Sequence, residues 1–110
     1  MSVDKTFELK NGKDTTTVVN ILDVPEMYGT GRLFAVSIIP PGGSIGKHRH
    51  EGDFETYYIL KGKARVNDNG NIVELDPGDM THCKEGDFHS IENIGDCDLE
   101  YIAVILYSKE

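Results

Sequence analysis

Turn sequences recur about every eight to twelve residues along this chain, and the segments between them are too short and too β-branched for helices. Pro40-Pro41-Gly42-Gly43, Asp68-Asn69-Gly70, Asp76-Pro77-Gly78-Asp79, Lys84-Glu85-Gly86-Asp87 and Asn93-Ile94-Gly95-Asp96 all carry the residues that tolerate tight or positive-φ turns. Between and around them the pattern predicts strands over Thr15 to Ile21, Arg32 to Ile39, Glu55 to Leu60, Lys63 to Asn67, Asn71 to Leu75, Met80 to Cys83, His89 to Asn93 and Leu99 to Tyr107. Asn69-Gly70 is the strongest hairpin signal, because both residues accept the positive φ of a primed turn. No window of a dozen residues shows a 3.6-residue apolar stripe, and only Asp23 to Tyr28 suggests a helical turn. The expectation is an all-β fold, one domain over residues 1–110, closed as a barrel or a double sheet. A chain of 110 residues is too short for a (β/α)8 barrel or a kinase.

Charge narrows the partners. Eleven basic residues against nineteen acidic ones give a formal net charge of −8, which a nucleic-acid backbone repels, and no basic run exceeds Lys47-His48-Arg49-His50. Nucleic acid and membrane are therefore not expected partners, since no run of 18 apolar residues occurs either. The first seventeen residues are polar and charged with no apolar leader segment, so a cytoplasmic location is expected. Cys83 and Cys97 show no CxxC spacing and read as reduced thiols.

Three histidines and one carboxylate carry the chemistry. His48 and His50 are two apart in a segment expected to be extended, and side chains at that spacing share a face. Glu55 and His89 each open a later strand. Neutral imidazoles with a carboxylate form a borderline donor set that suits Fe, Mn, Zn, Co, Ni or Cu. Taken alone, the His48/His50 pair is about as consistent with polar loop histidines or hydrogen-bonded core histidines as with a metal site.

The wider spacing is more specific. Gly42, His48, His50, Glu55 and Gly62 are separated by five, one, four and six residues, and this resembles the first conserved motif of the cupin superfamily without departure. Gly78, Lys84, Gly86, His89 and Asn93 resemble its second motif, except that Lys84 stands where proline is usual. Five fixed residues at fixed spacing arise by chance roughly once in ten thousand such chains. The resemblance implies a small double-stranded β-helix, a jelly-roll barrel, in which His48, His50, Glu55 and His89 hold one divalent transition metal such as Mn, Fe, Zn, Ni or Co. It also implies a small-molecule substrate or ligand and a homodimer, with activities in the family that include dioxygenases, decarboxylases, isomerases and lyases. An enzyme acting on a small carboxylic acid, sugar or diketone is the leading reading; a non-catalytic ligand-binding or sensing module is the alternative.

Glu55 and His82 are the candidates for a catalytic role, His82 for proton transfer because its unperturbed pKa lies near neutrality and it precedes the His89 strand. Cys83 reads first as an ordinary strand residue. Tyr57, Tyr58 and Tyr101 read as core or barrel lining, with one hydroxyl near the metal a plausible proton donor. Arg49 should point outward by alternation. Gly42 to Lys47 lacks the first glycine and the Ser/Thr of a phosphate loop and reads as a turn. Tyr101 to Tyr107 is apolar on both faces, as expected of a central strand or one covered by a second subunit.

Overall fold

Why ten strands form and not eight is a matter of what each strand buries. The computed structural model describes residues 2–108. In it β1 (Val3–Phe7), β2 (Thr15–Leu22), β3 (Gly31–Ile39), β4 (Ser44–Arg49), β5 (Asp53–Lys61), β6 (Ala64–Asp68), β7 (Asn71–Leu75), β8 (Met80–Cys83), β9 (Phe88–Asn93) and β10 (Leu99–Tyr107) are joined by short connections. All eight predicted strands are present. β1 adds an edge strand whose five residues are all exposed, so its sequence carries no inward and outward alternation. β4 is the segment that was expected only to be extended.

All pairings are antiparallel, and they build a six-stranded sheet, β1-β2-β3-β10-β5-β8, and a four-stranded sheet, β4-β9-β6-β7. β10 is central in the larger sheet, between β3 and β5, which accounts for its apolar residues on both faces. The core lies between the sheets, with Ile39, Ile59, Val66, Ile91, Leu99 and Tyr101 at its centre. Asn69 and Gly70 both adopt positive φ, as the β6–β7 hairpin requires, with Asp68 paired to Asn71. The helical turn expected near Asp23 is a 3-10 turn over Val24–Met27, where Glu26 accepts the Asp23 N–H at 2.7 Å.

One row of outward side chains crosses the whole larger sheet. The registers pair Val3 with Val19, Val19 with Val36, Val36 with Ile102, Ile102 with Tyr58 and Tyr58 with Met80. Facing residues of antiparallel strands share a side, so six apolar residues lie in line across all six strands. Val3, Tyr58 and Met80 are exposed and the rest are half-buried.

A second 3-10 turn, Leu9–Asn11, crosses from β1 towards β2 through residues in the left-handed region, Glu8, Lys10, Asn11 and Asp14. It is held against β4. A Cβ on Gly46 would lie 1.8 Å from the Lys10 carbonyl oxygen, and one on Gly12 2.1 Å from that of Ser44, so only glycine permits this approach. The Lys13–Ser44 bridge closes the contact.

Candidate metal centre

β4, β5 and β9 converge at one end of the barrel. His48 is on β4, His50 just beyond its end, Glu55 on β5 and His89 on β9, where it pairs directly with His48. One donor atom from each of the four lies within 4.8 Å of every other, so the group could hold a metal ion. His50 Nε2 and His89 Nε2 each lie 3.0 Å from Glu55 Oε1 and 3.1 Å from one another, with His48 Nε2 3.7 Å from the same carboxylate oxygen. Glu55, His50 and His89 are buried; His48 is partly open.

Hydrogen bonds on the far sides of two rings decide which nitrogens face inward. His48 Nδ1 donates to the Gly46 carbonyl at 2.8 Å, and His50 Nδ1 donates to Asp53 Oδ1 at 2.7 Å. These partners turn Nε2 towards the Glu55 carboxylate, where it offers a lone pair to a cation or, in the ion-free protein, a proton to that carboxylate. Acceptors gathered at such separations repel unless a proton or a cation lies among them, and three imidazoles with one carboxylate are a donor set for a divalent transition metal. The residues present therefore fit such an ion.

A family comparison agrees with that geometry: residues 35–105 match the model of the cupin domain. The chain belongs to the cupin family. An "Oxalate-binding protein" of Thermotoga maritima is 42% identical over 103 residues, covering 94% of this chain and 85% of the relative. A crystal structure from the same organism, described as a predicted oxalate decarboxylase, superposes with a TM-score of 0.94 at 40% identity, covering 98% of this cupin and 94% of that chain. The cupin domain of an XRE family transcriptional regulator from Enterobacter cloacae shares the fold at TM-score 0.71 and 18% identity, covering 86% of this chain and 98% of that one.

Around the four donors, the cupin barrel sets each ionisation differently. Burial would raise the Glu55 carboxyl, but hydrogen bonds from His48, His50 and His89 outweigh it and hold the group well below the usual carboxylate range. Burial pushes His89 below the ordinary histidine value, and the Glu55 carboxylate only partly offsets it. At His50 burial is overcome by hydrogen bonds to Glu55 and Asp53, and the pKa rises. Asp53 itself is held low against burial by the Arg32 guanidinium, whose Nε donates to Oδ2 at 2.8 Å, and by His50. Tyr57 stacks on His89 with ring centroids 4.8 Å apart and brings its hydroxyl 3.3 Å from His89 Nε2. Complete burial and the Glu55 charge push that phenol well above its ordinary value, so Tyr57 stays a neutral O–H donor.

His82 is not part of this assembly. It pairs with Thr56, whose Oγ1 lies 2.9 Å from His82 Nδ1, and it is exposed on the outer side of β8 beside Phe54. Strand alternation turns it away from the donors: Glu55 faces inward, so its neighbour Thr56 and the paired His82 face outward. Cys83, paired with Glu55, is the inward residue, and burial pushes its thiol up to about 12. Arg49 points outward as expected, bonded to the Gly86 carbonyl and lying over the Phe88 ring. Asn93, the last residue of the second motif, is structural: its Nδ2 donates to the Ile39 and Cys97 carbonyls, both at 2.8 Å.

Asp53 and Arg32 escaped the sequence reading. β5 begins two residues earlier than the strand predicted from Glu55, and Asp53, Glu55, Tyr57 and Ile59 alternate inward from its start. Extending the alternation back by one step would have placed a second carboxylate beside His50. A cavity of about 230 Å³ opens onto the donors, lined at its buried end by His50, Glu55, Tyr57 and Tyr101. Leu9, Val18, Leu33, Ile45 and Ile105 form an apolar middle, and Asp4, Lys10 and Arg32 lie towards solvent.

Proposed function

We propose that this cupin binds one divalent transition metal, Mn, Fe, Zn, Ni or Co, through His48, His50, Glu55 and His89, and uses it to hold a small carboxylic acid in the cavity. The observation that carries the reading is the convergence of four donor atoms within 4.8 Å at the closed end of that cavity. A bound divalent ion acts there as a Lewis acid towards carboxylate oxygens. Asp53 fixes the His50 ring, Tyr57 offers an O–H beside His89, and the apolar middle excludes water from the ligand's body. The relatives described as oxalate-binding and as a predicted oxalate decarboxylase support a carboxylic acid over a sugar or a diketone.

Binding is favoured over acid–base turnover by one feature of the cavity. Apart from the four donors, its described titratable residues are Asp4, Lys10, Arg32, Tyr57 and Tyr101, and both tyrosines are shifted away from neutrality. The enzymatic reading, a decarboxylase, dioxygenase, isomerase or lyase, rests on Tyr57 as proton donor. The protein is further read as a homodimer, joined through the apolar row across the larger sheet, with its partners limited to a small ligand and its own second copy. Elemental analysis of purified protein, followed by oxalate calorimetry on metal-loaded and chelator-stripped samples, tests the central reading. Heat of binding confined to the loaded sample is expected; equal binding by both would overturn it.

A further inference from the structure

The solvent end of the cavity has a chemistry of its own. Arg32 on β3 uses only Nε towards Asp53, and no hydrogen bond among the described residues engages its Nη groups. A planar guanidinium offers five N–H donors, so the outer edge of the fork is left for a second acceptor. Lys10 lines the same cavity, and its Nζ forms no ion pair among the described residues. Its position is set by the fold, because its backbone carbonyl is packed against Gly46, two residues before His48. The carboxylate among the exposed lining residues, Asp4, already accepts a hydrogen bond from Asn20 Nδ2 at 3.0 Å. Lys10, together with the Nη edge of Arg32 whose Nε is paired with Asp53, therefore faces the opening beside one engaged carboxylate in a protein whose net charge is −8.

The cavity lining combines three chemistries: the metal donors His48, His50 and Glu55, the apolar side chains of Leu9, Val18, Leu33 and Ile45, and the exposed cations Arg32 and Lys10. We infer that the site takes an aliphatic dicarboxylate longer than oxalate, with one carboxylate at the His/Glu end and the other held at Arg32 with Lys10 beside it. The inference rests on the proposed metal-dependent acid site and adds to it the outer anion subsite. An anion at the opening gains charge-assisted hydrogen bonds that a monocarboxylate of equal length leaves unmade. An apolar spacer between the two carboxylates matches the apolar middle, which the two-carbon oxalate would leave uncovered.

The test is calorimetry on the Zn-loaded full chain with oxalate, succinate, glutarate, butyrate and valerate, repeated with Lys10→Gln and Arg32→Gln. Succinate or glutarate is expected to bind roughly tenfold or more tightly than the monocarboxylate of equal chain length, the scale of one charge-assisted contact. That advantage should shrink several-fold in each variant, and in Lys10→Gln butyrate affinity should hold. Among the described residues the Lys10 side chain forms no hydrogen bond or ion pair with a metal-binding residue, so its variant reports on the subsite; zinc content of Arg32→Gln reports whether the His50 side has been disturbed. Equal affinity for di- and monocarboxylates, tighter binding of oxalate than of succinate, or a preference that survives both substitutions overturns the outer subsite and leaves the metal-dependent acid site standing. Failure of every acid to bind the loaded protein overturns the underlying reading as well.

Discussion

Asp53 Oδ1 accepts the Nδ1 proton of His50 at 2.7 Å, and this bond decides which nitrogen of His50 is left facing Glu55 and His89. The same carboxylate is held by Arg32 through its other oxygen at 2.8 Å, so a surface cation orients a buried imidazole through one intermediary. Carboxylates behind metal-binding histidines set ring orientation and raise ligand basicity, and their loss typically costs about 10–100-fold in metal affinity. Asp53→Asn is therefore expected to weaken zinc binding by at least about tenfold with the fold retained, because asparagine keeps the shape and loses the charge. Competition against a chromophoric chelator measures this; unchanged affinity would show that the bond does not serve the site.

The pH dependence of the metal-derived stability has a defined sign. Glu55 and Asp53, both held below their ordinary values of 4.5 and 3.8, contribute stability that is present above those values and lost as the pH falls through their folded pKa. His89, pushed down from 6.5, works in the same direction, since its stability contribution is present above 6.5 and lost on acidification. His50, raised above 6.5, opposes them in metal-free protein: its contribution is complete below 6.5 and is lost as the pH rises through its folded pKa. Metal requires all three imidazoles neutral, so the melting temperatures of loaded and stripped protein should be far apart at about pH 8 and converge towards about pH 5. A gap that stays constant across that range would argue against histidine ligation.

What the sequence revealed and what it hid follow from burial. The His48, His50, Glu55 and His89 spacing was legible because His48, Glu55 and His89 sit at fixed steps on strands with a buried face and His50 directly follows the end of β4. Asn69-Gly70 was legible because its φ requirement admits few residues. β1 was not, because Val3–Phe7 is exposed throughout and no core imposes a period on it. His82 was misplaced for the opposite reason: proximity in sequence to the His89 strand says nothing of face, and only the Glu55–Cys83 and Thr56–His82 register shows which side it occupies. Lys10 gave no signal at all, since its place at the cavity depends on a left-handed turn packed on a glycine thirty-six residues away.

Gly46 offers a direct test of that packing. Adding a methyl group there would place a carbon 1.8 Å from the Lys10 carbonyl oxygen, a backbone atom that cannot rotate away. Gly46→Ala should displace the Leu9–Asn11 turn and destabilise the protein by about 2 kcal/mol or more, within the range of overpacking and strain. Chemical denaturation measures the loss, and new protease sensitivity near residues 8–12 locates it. A stability within about 0.5 kcal/mol of the parent would mean that the turn is not anchored on β4 in solution.

The apolar row from Val3 to Met80 sets the expectation for assembly. A homodimer through this face predicts twice the 12.2 kDa chain mass at micromolar concentration by light scattering. Ile102→Glu, at the centre of the row and outside the cavity, should give monomers by placing a charge in the apolar contact. A monomeric parent rejects the dimer outright, and a dimeric variant moves the interface to another surface.

Tyr57 decides between holding an acid and transforming it. Its hydroxyl lies 3.3 Å from His89 Nε2 and stays protonated, so it can donate a hydrogen bond, and in a reaction a proton, to an acid held beside His89. Removing only the hydroxyl in Tyr57→Phe leaves the ring stacked on His89 and the donor set intact. If the site only binds, acid affinity should fall by roughly tenfold or less, the worth of one hydrogen bond. No turnover should then appear with Fe, Mn, Zn, Ni or Co under air or under nitrogen. If it catalyses, product should form in the parent, and Tyr57→Phe should lower turnover by roughly 100-fold or more with little change in affinity, as expected on losing a proton donor. Oxygen consumption matched to product would indicate a dioxygenase, and carbon dioxide release without oxygen a decarboxylase. Ligand-induced stabilisation with every metal and product with none would establish the binding module.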